Sequence, residues 1–155
     1  MNKKTKTKKK VVMISGGFDP IHIGHIRYMQ EAKKLGDRLI VVINNDNWIR
    51  QKKGKEFMPE TERKEIIEAI SGIDEVIISS HPKNPKDMSV SKEIKKIKPD
   101  IFANGGDRKP EQNDIPSSEY VVCKELGIKM AFNVGRGGKI RSSSELLKEY
   151  SKCIK

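Results

Sequence analysis

An apolar run that stops at two glycines and passes into a helical pattern constrains this chain more than any other feature. Val11 to Ser15 is such a run, ending in Gly16 and Gly17. Ile23, Ile26, Tyr28, Met29, Ala32 and Leu35 then recur at near-helical spacing, and Gly36 stands where a C-terminal glycine would stop the helix. A second apolar run, Arg38 to Ile43, follows and is bounded by Asn44, Asn45, Asp46 and Asn47. Strands that are apolar throughout, without alternation, are those covered on both faces, as parallel strands are. Two parallel strands joined by a helix make a right-handed crossover unit, and that unit must be built upon.

The rest of the chain repeats the alternation. Pro59 to Ile70 predicts a helix, with proline near its first turn, early acids at Glu60, Glu62 and Glu65, and an apolar stripe of Ile66, Ile67 and Ile70. Glu75 to Ser79 predicts a third strand, and Ser80 to Met88, with two prolines, a loop. A short helix over Lys92 to Ile97 must end before Pro99. Ile101 to Ala103 reads as a fourth strand, Asn104 to Asp107 as a glycine turn, and Ser117 to Leu126 as a helix. Lys129 to Val134 reads as the fifth strand and Ser144 to Lys152 as the last helix. The fold class is therefore α/β, one doubly wound domain on a five-stranded parallel sheet, with ligands expected at the carboxyl ends of the strands. A length of 155 residues suits one domain.

Composition narrows the setting. Hydrophobic residues at 35% and charged residues at 34% leave enough Val, Ile and Leu for a core. No apolar stretch is long enough to span a bilayer, and no signal-peptide pattern follows the N-terminal lysines. Cys123 and Cys153 are too few and too far apart for a disulfide framework or a metal site, so a cytoplasmic protein is expected. The net charge is +11. Six of the lysines fall within residues 1–10, expected to be a disordered basic tail, which leaves about +5 for the domain over 11–155. Such an arm binds nucleic acid by counterion release or stands solvated, and charge alone does not decide between them.

The densest chemistry lies where the first strand meets the first helix, in Gly16-Gly17-Phe18-Asp19-Pro20-Ile21-His22-Ile23-Gly24-His25. His22 and His25, three residues apart at a helix start, share a face and can donate hydrogen bonds to phosphate oxygens. The helix N-terminus adds free N–H groups and positive dipole. Gly24 has no side chain, so a base or phosphate is expected to approach the backbone there. Two histidines without a third ligand make a poor zinc site.

This segment resembles the nucleotidyltransferase superfamily with the signature GxFDxxHxGH, which includes glycerol-3-phosphate, ethanolamine-phosphate and heptose-phosphate nucleotidyltransferases and archaeal FAD synthetase. The resemblance spans about residues 11 to 150 and implies a Rossmann-like nucleotidyltransferase fold. Ile43-Asn44-Asn45-Asp46 resembles the family's "VNSD" turn, and Lys52-Lys53-Gly54-Lys55 its lysine loop. Glu62-Arg63 resembles its "ER" pair. Asn104-Gly105-Gly106-Asp107 with Lys109-Pro110-Glu111 resembles the "KGGDYxPEE" segment of heptose-1-phosphate adenylyltransferases, with Arg108 in place of the tyrosine. Ile140-Arg141-Ser142-Ser143-Ser144 resembles the C-terminal "ISTT" segment. His22-Ile23-Gly24-His25 is also the signature tetrapeptide of class I aminoacyl-tRNA synthetases, but the chain is too short for an amino-acid pocket and a tRNA-binding domain.

The resemblance implies transfer of a nucleoside monophosphate from ATP or CTP to a small phosphorylated acceptor, a sugar 1-phosphate being favoured, with pyrophosphate released. His22, His25, Lys53 and Arg63 are implied as catalytic. Gly16, Gly17, Phe18, Asp19, Gly24, Gly106, Asp107, Arg141 and Ser142 to Ser144 are implied as nucleotide-binding. Asn45, Asp46, Lys52 and Arg108 would meet the acceptor, and Mg2+ or another divalent cation would bridge phosphates with Asp19 as a candidate ligand. The family also implies a homodimer. Glycerol phosphate with CTP and FMN with ATP are the alternative substrate pairs. A non-catalytic nucleotide- or nucleic-acid-binding protein on the same scaffold is the alternative of another class.

Overall fold

The computed structural model describes residues 8–105, 117–135 and 142–154. Its elements, in chain order, are β1 (Val11–Gly16), α1 (Ile23–Lys33), β2 (Arg38–Ile43), α2 (Asp46–Lys53), α3 (Glu60–Glu68), β3 (Glu75–Ile78), α4 (Ser91–Ile97), β4 (Ile101–Gly105), α5 (Ser117–Leu126), β5 (Lys129–Val134) and α6 (Ser143–Cys153). The five strands form one parallel sheet in the order β3-β2-β1-β4-β5. The chain thus starts at the centre, winds outward through β2 and β3, then crosses to β4 and β5, the doubly wound plan expected of continuous apolar strands.

Alternate side chains of each strand feed two core halves. Val12, Ile14, Leu39, Val41, Ile43, Ile101 and Ala103 pack with Met29 and Ala32 of α1 and Ile67 of α3. Met13, Val42 and Phe102 pack on the other face with Ile94 of α4 and Val122 and Cys123 of α5. Tyr28 ties α1 to the sheet by donating its hydroxyl to the carbonyl of Ala103. Burial pushes the Cys123 thiol up to about 11, so it stays protonated as a core residue.

Four expectations change. The lysine stretch is not a loop: Lys52 and Lys53 form the last turn of α2, whose N-terminus is capped by Asn45 accepting from Trp48 N at 3.0 Å. The asparagine cluster after β2 is thus a helix start as well as a strand end. Asn104 and Gly105 extend β4 and do not begin a turn. Gly36 is no left-handed helix terminator; a Cβ there would lie 2.8 Å from Lys10 O, so its role is close backbone approach. Lys10, expected in the tail, is bonded into the fold, donating to Asp37 Oδ2 and accepting from the N–H groups of Asp37 and Arg38. Residues 1–7 lie outside the described residues.

Candidate active site

β1 ends at the middle of the sheet, and the chain leaves it through Gly16, Gly17 and Phe18 into a cis Asp19–Pro20 bond. Phe18 adopts a left-handed backbone (φ 51°) with its ring buried. The next turn is organised by the histidines themselves. His22 is the N-cap of α1 and its Nδ1 accepts from Gly24 N at 3.1 Å, while His25 Nδ1 accepts from His22 N at 3.2 Å. This is a reciprocal cap with imidazole lone pairs in place of the usual hydroxyl and carboxylate. Because each Nδ1 receives a backbone proton, each neutral ring carries its own proton on Nε2.

The two rings stack at 3.8 Å between centroids, and Phe18 meets His25 edge-on at 4.9 Å. Burial above all, then the charges of His22 and Lys53, lowers the His25 pKa to about 3. His25 therefore works at neutral pH as an uncharged Nε2–H donor, and no partner among the described residues takes that proton. A Cβ on Gly24 would stand 2.9 Å from His22 Cε1. Gly24 thus admits the folded-back imidazole, a reason for glycine that the sequence did not suggest.

A second group of expected site residues builds the frame. Arg63 is 1% exposed, and its guanidinium donates to Met58 O, Gly17 O, Asn44 O and Asp46 Oδ1 at 2.6–2.9 Å. It is a pin through the strand ends, with four of its five N–H groups taken up by the fold and not left open for the catalytic role that the resemblance implies. Asp46 also caps α3 by accepting from Glu60 N. The Asn45 side chain caps α2 and donates to His81 O at 2.8 Å, so both ends of its amide are engaged and it is not placed to read an acceptor. Asp19, 1% exposed, accepts from Phe57 N and Met58 N, both at 2.7 Å. Its two oxygens hold the loop between α2 and α3, which does not fit a metal ligand. Among the described residues no group of three His, Cys, Asp or Glu is gathered to hold a metal ion.

Lys53 reaches over this frame, its Nζ 3.2 Å from Asp19 O. Burial lowers its pKa, Asp19 opposes, and Lys52 and Arg63 add to the lowering. Lys52 points away, its ammonium 5.0 Å above the ring of Trp48, whose Nε1 donates to Met88 O. The serine triplet arrives from the far end of the chain: Ser143 Oγ donates to Pro20 O at 2.8 Å, while Ser142 caps α6 by accepting from Glu145 N. Ser144 is exposed in the same first turn. The N-terminus of α6 thus meets the turn that leads into His22, and brings a second set of helix N–H groups to the edge. Gly106, Asp107, Arg108 and Arg141 lie outside the described residues.

Sequence reasoning missed the buried chain Asn45 N to Ser79 Oγ, Ser79 Oγ to His81 Nδ1, and His81 Nε2 to Ser89 O. It fastens the loop after β3 to the start of α2. The only sequence signal was polar residues directly after an apolar strand.

A parallel sheet whose central strand ends in a glycine turn, with two helix N-termini, an uncharged imidazole donor and a half-buried lysine around it, defines an α/β domain built to hold phosphates. A family model described as Cytidylyltransferase-like matches residues 13–125, and the chain belongs to that family. An FAD synthase from Ferroglobus placidus is 40% identical over 99 residues, covering 64% of this chain and 60% of that protein. The bifunctional protein HldE of Pasteurella multocida is 36% identical over 124 residues, 79% of this chain and 24% of that protein. The chain thus matches about three fifths of one relative's length and a quarter of the other's. The crystal structure of the lipopolysaccharide core biosynthesis protein from Thermoplasma volcanium GSS1 aligns with a TM-score of 0.63 at 32% identity, covering 81% of this chain and 95% of that one.

Proposed function

We propose that this protein is a nucleotidyltransferase that moves the adenylyl group of ATP to a small phosphorylated acceptor. An acceptor phosphate oxygen forms a bond to the α-phosphorus, the bond from that phosphorus to the bridging oxygen breaks, and pyrophosphate leaves with the electron pair. A phosphate monoester is an adequate nucleophile, so catalysis is positioning and charge neutralisation. The observation that carries the reading is the reciprocal histidine cap, which leaves His25 a neutral Nε2–H on the turn against which Lys53 and the N-terminus of α6 also rest. His25 donates to the α-phosphoryl oxygens as charge builds, and His22 stacks against it to fix the ring. Lys53, a mobile point charge, draws the nucleophilic phosphate in. The first turn of α6, with Ser142 to Ser144, holds the leaving pyrophosphate. Asp19, with both oxygens accepting from backbone N–H groups, is not placed to hold a divalent cation.

The acceptor is read as a sugar 1-phosphate, supported by the Asn104 to Glu111 segment and by the likeness to a lipopolysaccharide core biosynthesis protein. FMN is the second reading, favoured by relatives named FAD synthase. Both use ATP. The test is pyrophosphate release with magnesium, ATP and CTP being offered separately against heptose 1-phosphate, other sugar 1-phosphates, glycerol 3-phosphate, ethanolamine phosphate and FMN. Release with ATP and one of the two favoured acceptor types is expected. No release with any pair, from protein that still binds nucleotide, overturns the reading in favour of a binding protein.

A further inference from the structure

Strand side chains alternate between the two faces of a sheet. Met13, Val42 and Phe102 belong to the core half under α4 and α5. Two residues further along each strand, on that same face, come Ser15, Asn44 and Asn104. Asn44 continues the ladder beyond β2, donating to Gly16 O at 2.9 Å, so the alternation holds through it. Ser15 pairs with Val42, and the register of Met13 with Phe102 sets Ser15 beside Asn104. The apolar core thus ends in a polar ledge across β2, β1 and β4, at the carboxyl edge where the Gly16–Gly17 turn begins.

Two atoms of this ledge stand out. Asn44 is 6% exposed and Asn104 2%, and the Oδ1 of each is buried with no hydrogen-bond partner among the described residues. The rest of each residue is tied down: Arg63 donates to Asn44 O, and Asn104 Nδ2 donates to Ala131 O at 3.3 Å. A buried amide oxygen without a donor is a deficit that native structures leave only where something else supplies the proton. α1 and the buried Phe18 ring pack on the opposite face. The ledge therefore lies across β1 from the histidine cap, and Asn44, Ser15 and Asn104 are all uncharged.

Resting on the nucleotidyltransferase reading above, we infer that Asn44 and Asn104 form a specificity site that accepts hydrogen bonds from the hydroxyl groups of a polyhydroxylated acceptor. The two asparagines are separated by two strand spacings and, because Asn104 lies level with Ser15 and Asn44 level with Gly17, by two residues along the strands, about 12 Å in all, which an open polyol chain spans. The acceptor's phosphate meets Lys53 and the histidines while its uncharged body lies diagonally along the ledge, with the Ser15 hydroxyl beside Asn104. An acceptor without hydroxyls leaves both amide oxygens unsatisfied and is rejected for that reason.

The experiment compares wild type with Asn44→Ala and Asn104→Ala by pyrophosphate release and, without turnover, by calorimetric titration of heptose 1-phosphate, FMN and ethanolamine phosphate. Each variant is expected to raise KM for the hydroxylated acceptor by about tenfold or more. KM for ATP should be unchanged and ethanolamine phosphate equally weakly bound by wild type and variants, while the thermal midpoint should be equal or higher for Asn44→Ala, which removes an unsatisfied oxygen, and lower for Asn104→Ala only by the lost bond to Ala131 O. A lowered midpoint with unchanged acceptor KM means that the amides hold the fold, and overturns the inference. Wild-type protein that binds neither hydroxylated phosphate also overturns it. Loss of hydroxylated-acceptor binding in the variants, from a wild type that releases no pyrophosphate, supports the ledge and sinks the transferase reading instead. Should the alanine variants not fold, Asn44→Ser and Asn104→Ser, which keep a hydrogen-bonding group but shorten its reach, give the same KM comparison.

Discussion

The start of α1 and the corner where β2 meets α2 and α3 are equally rich in polar side chains, yet they use them in opposite ways. At the start of α1, His22 and His25 satisfy the helix with one nitrogen each, and His25 keeps an Nε2–H that the cap does not use. At the corner, Asn45, Asp46 and Arg63 spend most of their hydrogen bonds on backbone groups and on one another. A family motif marks both places in the same way. What separates a chemical group from a framing group is the donor or acceptor left over after the fold has been satisfied.

The largest effect that could break this comparison belongs to Arg63. If it is a pin, Arg63→Ala leaves three carbonyls without their donor and the largely buried Asp46 carboxylate without its cation, and unfolding should become easier by about 3–5 kcal/mol. Arg63→Lys should recover little, since an ammonium cannot serve four acceptors in the plane of a guanidinium. Chemical denaturation reads the loss. An unchanged midpoint with a raised KM for ATP would return Arg63 to the substrate site.

His25→Ala tests the other side. Turnover should fall by about 10²- to 10³-fold, as when one oxyanion-hole donor is removed, while the lost cap costs about 1 kcal/mol of stability. Near-normal turnover would end the assignment. Gly24→Ala sharpens the point, because alanine is the better helix former by about 1 kcal/mol and yet its Cβ collides with the His22 ring. Stability should hold or rise while turnover drops by between about tenfold and 10²-fold, the cost of a misplaced catalytic group.

These variants also show what could be read from the chain beforehand and what could not. The sheet, its parallel sense and the start of every strand follow from apolar runs such as Arg38 to Ile43, which is β2 residue for residue, while the ends of β1, β3 and β4 shift by one or two residues. The histidine pair was readable from its i, i+3 spacing at a helix start and from the family signature, but its reciprocal capping was not. Hydrogen-bond saturation was not readable: nothing local to Arg63 says that Gly17, Asn44 and Met58, brought from three segments, will converge on its guanidinium. α2 was hidden because Asn45 ends one element and caps the next.

Acid titration gives a smaller test. The folded chain takes up a proton on His25 only near pH 3, the unfolded chain near 6.5. The stability carried by the neutral ring is therefore complete above about pH 7 and lost as pH falls from 6.5 towards 3, with a limiting slope of about 1.4 kcal/mol per pH unit. His25→Ala should flatten the stability profile by one proton over that range. A slope unchanged by the substitution would mean that the ring is protonated in the folded protein, and the uncharged donor would be lost from the mechanism. At the other end, burial of Lys53 should bring the alkaline fall of kcat/KM below the ordinary lysine range.

Lys52 carries the smallest expectation and the most direct comparison, since its neighbour on the same helical turn has the same chemistry. Lys53 is half-buried, leans on Asp19 O and faces the glycine turn, whereas Lys52 lies over Trp48 on the exposed side. An exposed cation over an aromatic ring is worth about 0.5–1 kcal/mol. Lys52→Ala should therefore lower stability by no more than that and leave acceptor KM within about twofold, while Lys53→Ala should raise acceptor KM strongly at unchanged stability. Steady-state kinetics on the pair decides which lysine of α2 meets the incoming phosphate. If Lys52→Ala raised acceptor KM as much as Lys53→Ala, the acceptor would have to approach over Trp48, and the ledge of Asn44 and Asn104 would lie on the wrong side of the helix to read it.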